Sequence, residues 1–264
     1  MGGEKWTFLR SSSNPAVRSK RMLTINADDY GRSAAETDAA LRCYTAGRIT
    51  SVSAMVFMAD SERAAELATT NRLEVGLHIN FSEPFTDSRC PERLTDCHNR
   101  IVHFLRRNKY AQIIYNPSLR KEFAYSYSVQ MEEFLRSFGE SPSHIDGHHH
   151  MHLCANLLLS NLIPAGMKIR RNFSFWSGEK AWLNRAYRAV VDRWLARRYQ
   201  LTDYFFDLTQ SIREKKMDRV LALAESSKVE LMTHPILEFE LDFLLSNQFQ
   251  TMLQRLNVAG HALV

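Results

Sequence analysis

Five histidines and one aspartate fall within nine residues, in the run His144-Ile145-Asp146-Gly147-His148-His149-His150-Met151-His152. Imidazoles at that density serve two chemistries, metal ligation and proton transfer near neutral pH. The run is internal, interrupted and flanked by apolar residues, so it is not an affinity tag. Four other polar groups stand out: the pair Asp28-Asp29, His78, Arg170 and His234. A carboxylate with two imidazoles is a common ligand set for a divalent ion that keeps positions open for water and substrate. Such an ion polarises a carbonyl oxygen and lowers the pKa of a bound water. A second carboxylate beside it takes the water's proton, and a separate histidine protonates the leaving group. Adjacent Asp28 and Asp29 offer both carboxylate roles. Neighbours in extended chain point to opposite sides, so only one of the two faces the ion directly. His148 and His152, spaced i, i+4, would share a helix face as in zincins, but there is no H-E-x-x-H and that protease reading is weak.

These groups need a scaffold that brings distant segments together. The sequence predicts strands at 22–26, 50–58, 74–80, 143–146, 167–171, 204–208 and 229–232, from short apolar or β-branched runs. Helices are predicted at 33–46, 61–69, 121–138, 155–163, 179–199, 213–226 and 241–256, with Gly47 and Gly139 as C-terminal caps. The stretch 83–100, holding Pro84 and Pro91, shows no clear periodicity and reads as a loop over one end of the sheet. Strands alternating with helices imply βαβ units and a largely parallel sheet. Asp28-Asp29, His78, the His148 run, Arg170 and His234 each fall at the C-terminal end of a predicted strand. In parallel α/β folds that edge is where side chains converge on a site. The long helix at 179–199 carries six basic residues, Lys180, Arg185, Arg188, Arg193, Arg197 and Arg198, beside an apolar stripe. Its plainest reading is an outer helix with the stripe packed inward; the sharper one is contact with a membrane surface or a lipid phosphate.

At 264 residues and 45% hydrophobic composition, the chain is large enough for a substantial core, and no repeat or linker divides it. We expect one domain over 22–264, preceded by a loose polar tail at 1–21. The net charge of +5 is too small to argue for nucleic acid, and suits an anionic substrate or a membrane surface. The cysteines (Cys43, Cys90, Cys97 and Cys154) form no C-x-x-C pair and read as reduced thiols, which points to the cytoplasm, with peripheral contact at a membrane left open. No apolar run approaches the length of a spanning helix.

Four motifs in order, NADDYG after a strand, VGLHINFSEP, SHIDGHHHMH and ELMTHP, resemble the YdjC-like (ChbG/HpnK) carbohydrate deacetylases, from about Leu23 to the C-terminus. The resemblance implies an α/β fold, a distorted (β/α) TIM-like barrel related to NodB-type polysaccharide deacetylases. It implies metal-dependent removal of an N-acetyl group from an acetylated amino sugar, a chitooligosaccharide or another GlcNAc-type glycan, lipid-linked or free. It assigns Asp29, His78 and His148 to the metal, Asp28 to general base, His234 to general acid, and Arg170 to orienting the base. The ion is divalent, with Mg²⁺ and Zn²⁺ both compatible, and Asp146 or His152 could support a ligating imidazole. Tyr30 and Phe81-Ser82 depart from the commoner family pattern and bear on substrate contacts. A metal-dependent phosphoesterase is the alternative enzyme class, and the oligomeric state is open.

Overall fold

The alternation of strands and helices becomes a six-stranded, all-parallel sheet in the order β4-β3-β2-β1-β6-β5. The computed structural model describes residues 21–108 and 110–261. The strands are β1 (Met22–Tyr30), β2 (Ser51–Ala54), β3 (Val75–Ile79), β4 (Ile145–Gly147), β5 (Tyr204–Asp207) and β6 (Lys228–Thr233). Among the described residues, ten α-helices accompany them: α1 (Ala34–Thr45), α2 (Ser61–Asn71), α3 (Glu92–Arg106), α4 (Arg120–Phe138), α5 (Ala155–Leu159), α6 (Trp182–Leu195), α7 (Leu208–Arg213), α8 (Met217–Ala224), α9 (Glu238–Leu245) and α10 (Asn247–Leu253). The expected tail at 1–21 lies, up to residue 20, outside the described residues.

The sheet curls into an incomplete barrel. Its open side is bridged by the segment around Lys168 and Ile169, which bonds to both flanks. Ile145 donates to the Lys168 carbonyl, and Ile169 donates to the Gln200 carbonyl, four residues before β5 begins. The sequence predicts a strand at 167–171, but only isolated bridges form there, so Arg170 projects from irregular chain rather than from a strand end.

The two faces of the sheet differ in chemistry. In β1, alternation sends Leu23, Ile25 and Ala27 to one side and Thr24, Asn26 and Asp28 to the other, all buried. The apolar side meets the helices, and Val52, Leu77, Ile145, Val229 and Leu231 join the same core. The polar side lines the barrel interior. There Ser51 Oγ donates to Asn26 Oδ1 at 2.7 Å, Asn26 Nδ2 donates to Ser53 Oγ at 2.7 Å, and Ser53 Oγ donates to Asp146 Oδ2 at 2.8 Å. Ser53 has only one proton to give, so its 2.9 Å contact with His144 Nε2 requires that nitrogen to be protonated. His144 is then a neutral imidazole, accepting from Ser143 Oγ and stacked on His261.

Other elements depart from the sequence reading. The expected loop at 83–100 contains most of α3, whose buried side is Leu94, His98, Ile101 and Leu105. The expected helix at 155–163 ends at Leu159, the one at 213–226 shortens to α8, with Arg213 ending α7 instead, and the one at 241–256 is replaced by two shorter helices. Ser246 makes that break, capping α10 by accepting from Phe249 N. The largest departure is α6: the apolar residues of its first half face outward, with Trp182 73% and Val190 66% exposed, while Val191 and Trp194 pack against the core and Asp192 and Leu195 are buried.

The buried histidines make stability sensitive to acid. Burial pushes His98 and His144 down to about 4. A depressed folded pKa means that fewer protons are bound in the native state between about 4 and the unfolded value near 6.5. Stability is therefore fully present above that window and falls as pH drops through it. His98 alone contributes a loss on the order of 2 kcal/mol between roughly pH 7 and pH 4.5. Urea denaturation at the two pH values checks this: a His98→Gln variant shows a correspondingly smaller fall.

Candidate active site

The C-terminal ends of β1, β3, β4 and β6 converge where the motifs predicted they would. Asp28 and Asp29 lie inside β1, at an irregularity where its pairing with β2 shifts between Ala27 and Tyr30. Asp29 has φ of 64°, a left-handed conformation that a short carboxylate side chain tolerates better than most. This break in alternation lets two neighbouring carboxylates serve one site, pointing to Arg170 and to the imidazoles respectively.

Asp29, His78 and His148 meet. Asp29 Oδ1 lies 2.8 Å from His148 Nδ1 and 3.3 Å from His78 Nε2, and all three residues are at most 5% exposed. Their potential ligand atoms lie within 4.8 Å of one another. His78 gives its Nδ1 to Asp146 Oδ1 at 2.8 Å, which turns Nε2 towards Asp29. A carboxylate behind a ligating imidazole fixes its tautomer and raises its basicity. His148 Nε2 is buried without a hydrogen bond, although Glu83 Oε1 lies 3.2 Å away. A buried cluster of this composition, with one imidazole nitrogen unsatisfied, fits a divalent cation.

Arg170 sits behind the cluster, 1% exposed. Its Nη1 and Nη2 bind the two oxygens of Asp28 at 2.6 and 2.7 Å, Nη1 also reaches Asp146 Oδ2 at 2.7 Å, and Nε donates to Glu230 Oε1 at 2.6 Å. Burial pushes the Asp28 carboxyl up, but the Arg170 guanidinium and His78 outweigh it and hold the group below its ordinary value. Burial also works against Asp146, which Arg170 and His78 hold well below the usual range. Glu230 is the exception: burial, aided by Asp146 and opposed by Arg170, pushes it up to about 7. Arg171 points the other way, to Asp192 of α6, so the two adjacent arginines serve different elements.

His234 follows β6. Its backbone N–H donates to Glu240 Oε2 at 2.6 Å, and its Nε2 reaches to 4.0 Å from Asp29 Oδ2, with the side chain 29% exposed. It is the most open of the six assigned residues and borders a cleft of about 260 Å³ with Asp28, Asp29, His78, His148 and Glu83.

The histidine run forms a 3₁₀ turn, so His148 and His152 do not share an α-helical face. His149 and His150 take φ of 51° and 58° in succession, which swings the chain sharply after His148. His149 then meets Ser82 Oγ at 3.0 Å, and His150 packs edge-on against Phe173. His152 supports no ligand; its Nε2 donates to the Arg170 carbonyl at 3.0 Å and braces that segment. Beyond His149 and His150 a second chamber of about 480 Å³ opens, lined by Tyr110, Asn172, Phe173, Asn184, Tyr187 and Arg188 among others.

The turn depends on Gly147. A Cβ there would lie 2.8 Å from His152 N and 3.0 Å from His152 Cβ. Gly147→Ala is expected to cost about 1–3 kcal/mol by overpacking, read as a lower urea midpoint, and to displace His148 so that metal binding weakens in calorimetric titration.

Sequence reasoning missed Glu83 and Glu230. Glu83 is held by Arg32, whose Nε and Nη2 donate at 2.9 and 3.0 Å, and it turns towards His148 from a loop beyond β3. Its signal was an acid five residues after His78. Glu230 was legible as a carboxylate in the middle of an otherwise apolar strand. Cys154 is buried and belongs to none of the metal-competent groups among the described residues.

Comparison with known proteins bears on this geometry. The chain is 28% identical over 251 residues to a carbohydrate deacetylase of Mus musculus, covering 84% of this chain and 78% of that one. It is 31% identical over 141 residues to a chitooligosaccharide deacetylase of Klebsiella pneumoniae, a match to about half of each chain (52% and 53%). In three dimensions it resembles a crystal structure from Enterococcus faecalis V583, provisionally named a cellobiose-phosphate cleavage protein, with a TM-score of 0.61 over 92% of this chain and 98% of that one. At 17% identity that likeness speaks to the fold alone. The family model for YdjC-like proteins matches residues 22–255, and the chain belongs to that family.

Proposed function

We propose that this protein is a metal-dependent hydrolase that removes the N-acetyl group from an acetylated amino sugar. The observation that carries the reading is the buried convergence of Asp29, His78 and His148, with Asp28 and His234 bordering the same cleft. The names of the deacetylase relatives support the substrate class. Asp29, His78 and His148 would hold the cation. When bound, a divalent ion supplies Lewis-acid polarisation of the acetamide carbonyl and makes water a better nucleophile at neutral pH.

The remaining work belongs to side chains. Asp28, held ionised by Arg170, receives a proton from the attacking water. The bidentate pair keeps its carboxylate plane from rotating as the charge changes. His234, partly exposed beside Asp29, delivers a proton to the departing amine. Acetate and a free amino sugar result. The second chamber suits the rest of a glycan: Tyr110, Phe173 and Tyr187 offer ring faces, and Asn172 and Asn184 offer amides for hydroxyl groups.

The test is acetate release from N-acetylated chitooligosaccharides, with and without chelator, alongside His78→Ala. Release that is lost on chelation, restored by Zn²⁺, Mg²⁺ or Mn²⁺ and lost in the variant supports the reading. Equal rates in all arms, or hydrolysis of p-nitrophenyl phosphate with no acetate released, would end it.

A further inference from the structure

Helix α6 is anchored at its C-terminal end, where Val191, Trp194 and Leu195 pack against the core, and shows the apolar side chains of its first half to solvent. Asp192 takes Arg171 Nη2 at 2.7 Å and both the backbone and side-chain nitrogens of Asn172, at 3.0 and 2.9 Å. Leu195 is buried, and Arg188 turns towards the second chamber. At 100° per residue the opposite face carries Trp182, Leu183, Ala186 and Val190. Trp182 is 73% exposed, Leu183 62% and Val190 66%. An amphipathic helix in a water-surrounded protein normally has the reverse orientation.

The surroundings extend the patch. Tyr110 and Ile113, 55% and 48% exposed, line the second chamber together with Tyr187 of α6, so apolar side chains rim its mouth. Between Lys180 and Arg198 there are six basic residues and one acid, Asp192. That acid is spent on Arg171, and the nearby Glu179 is taken by Lys216. The outward face is therefore apolar at its centre and cationic at its edges.

Charge decides among the possible occupants. A second copy of this surface would bring like charges together. Residues 1–20 carry Lys5, Arg10, Arg18 and Lys20 against Glu4, and would meet the same repulsion. An anionic lipid surface complements both features: Trp and Leu enter the headgroup boundary while arginines remain at the phosphates. We propose that the outward face of α6 docks on an anionic bilayer, which sets the mouth of the second chamber at the membrane surface. This goes beyond the deacetylase reading and stands independently of it.

Co-sedimentation of the full chain with phosphatidylcholine vesicles, with and without about 30% phosphatidylglycerol, tests the proposal. The expected result is binding at least roughly tenfold tighter to the anionic vesicles, weakening as NaCl rises from about 50 to about 500 mM. A Trp182→Ala/Leu183→Ser/Val190→Ser variant loses that binding while keeping the wild-type circular dichroism and melting curve. An Arg185→Glu/Arg193→Glu variant, altered only at exposed positions, loses the preference for anionic lipid. Absence of binding at low salt, or equal binding by the triple variant, overturns the proposal. So does a dimer in sedimentation velocity that the triple variant dissociates, because a second copy would then be the occupant.

Discussion

Replacing Arg170 by methionine is expected to destabilise the fold by about 3–5 kcal/mol, the usual cost of removing one partner from a buried ionic cluster. Methionine fills part of the volume but leaves Asp28, Asp146 and Glu230 without their shared cation, in an environment from which water is excluded. Urea denaturation at pH 7 measures the loss as a drop in midpoint. The pH dependence identifies its cause. With the guanidinium gone, burial dominates and raises the carboxyl pKa values, so the folded variant binds protons more readily than the unfolded chain. Its deficit relative to wild type shrinks as pH falls from 7 towards 5. A deficit that stays constant across that range would mean that the loss comes from packing. Arg170→Lys recovers only part of the stability, because one ammonium cannot reproduce a two-pronged grip on Asp28 and contacts to two other acids.

Asp28→Asn is expected to lower kcat for acetate release by about 10²–10⁴, the range for loss of a positioned general base. The amide is nearly isosteric and can still accept a hydrogen bond from Arg170, and Asp29, His78 and His148 are untouched. Metal content by mass spectrometry and KM should therefore stay close to wild type. A parallel loss of metal would move Asp28 into the ligand set, its Oδ2 lying 4.0 Å from His78 Nε2.

Much of this site was legible because a parallel sheet imposes a simple rule: chemistry-bearing residues at strand ends share one edge. Asp28, Asp29, His78, His148 and His234 obey it, and the structure brings them together. Arg170 meets the same cluster by another route, from bridged but irregular chain, and nothing in Met167–Arg171 distinguishes such a bridge from a strand. Glu83 was hidden because a loop, not a strand, carries it back over the site. Helix α3 was hidden because one member of its buried stripe is His98, whose burial is made possible by Nε2 donating to the Glu83 carbonyl at 2.7 Å. The direction of α6 could not be read from its periodicity. A stripe fixes which residues share a face, but the partner that the face meets depends on tertiary contacts, here those of Asp192.

The hydrogen-bonded inside of the barrel has a consequence for how this chain can vary. On the apolar side of β1, exchanging Ile25 for valine or Leu23 for methionine removes or reshapes a few methyl groups, and neighbours can relax around the change. On the opposite side, Asn26, Ser51, Ser53 and Asp146 each satisfy partners on other strands, so any single exchange strands a donor or acceptor elsewhere. A saturation scan would then find the greasy layer permissive and the hydrophilic lumen nearly immutable, the inverse of the pattern in most globular interiors.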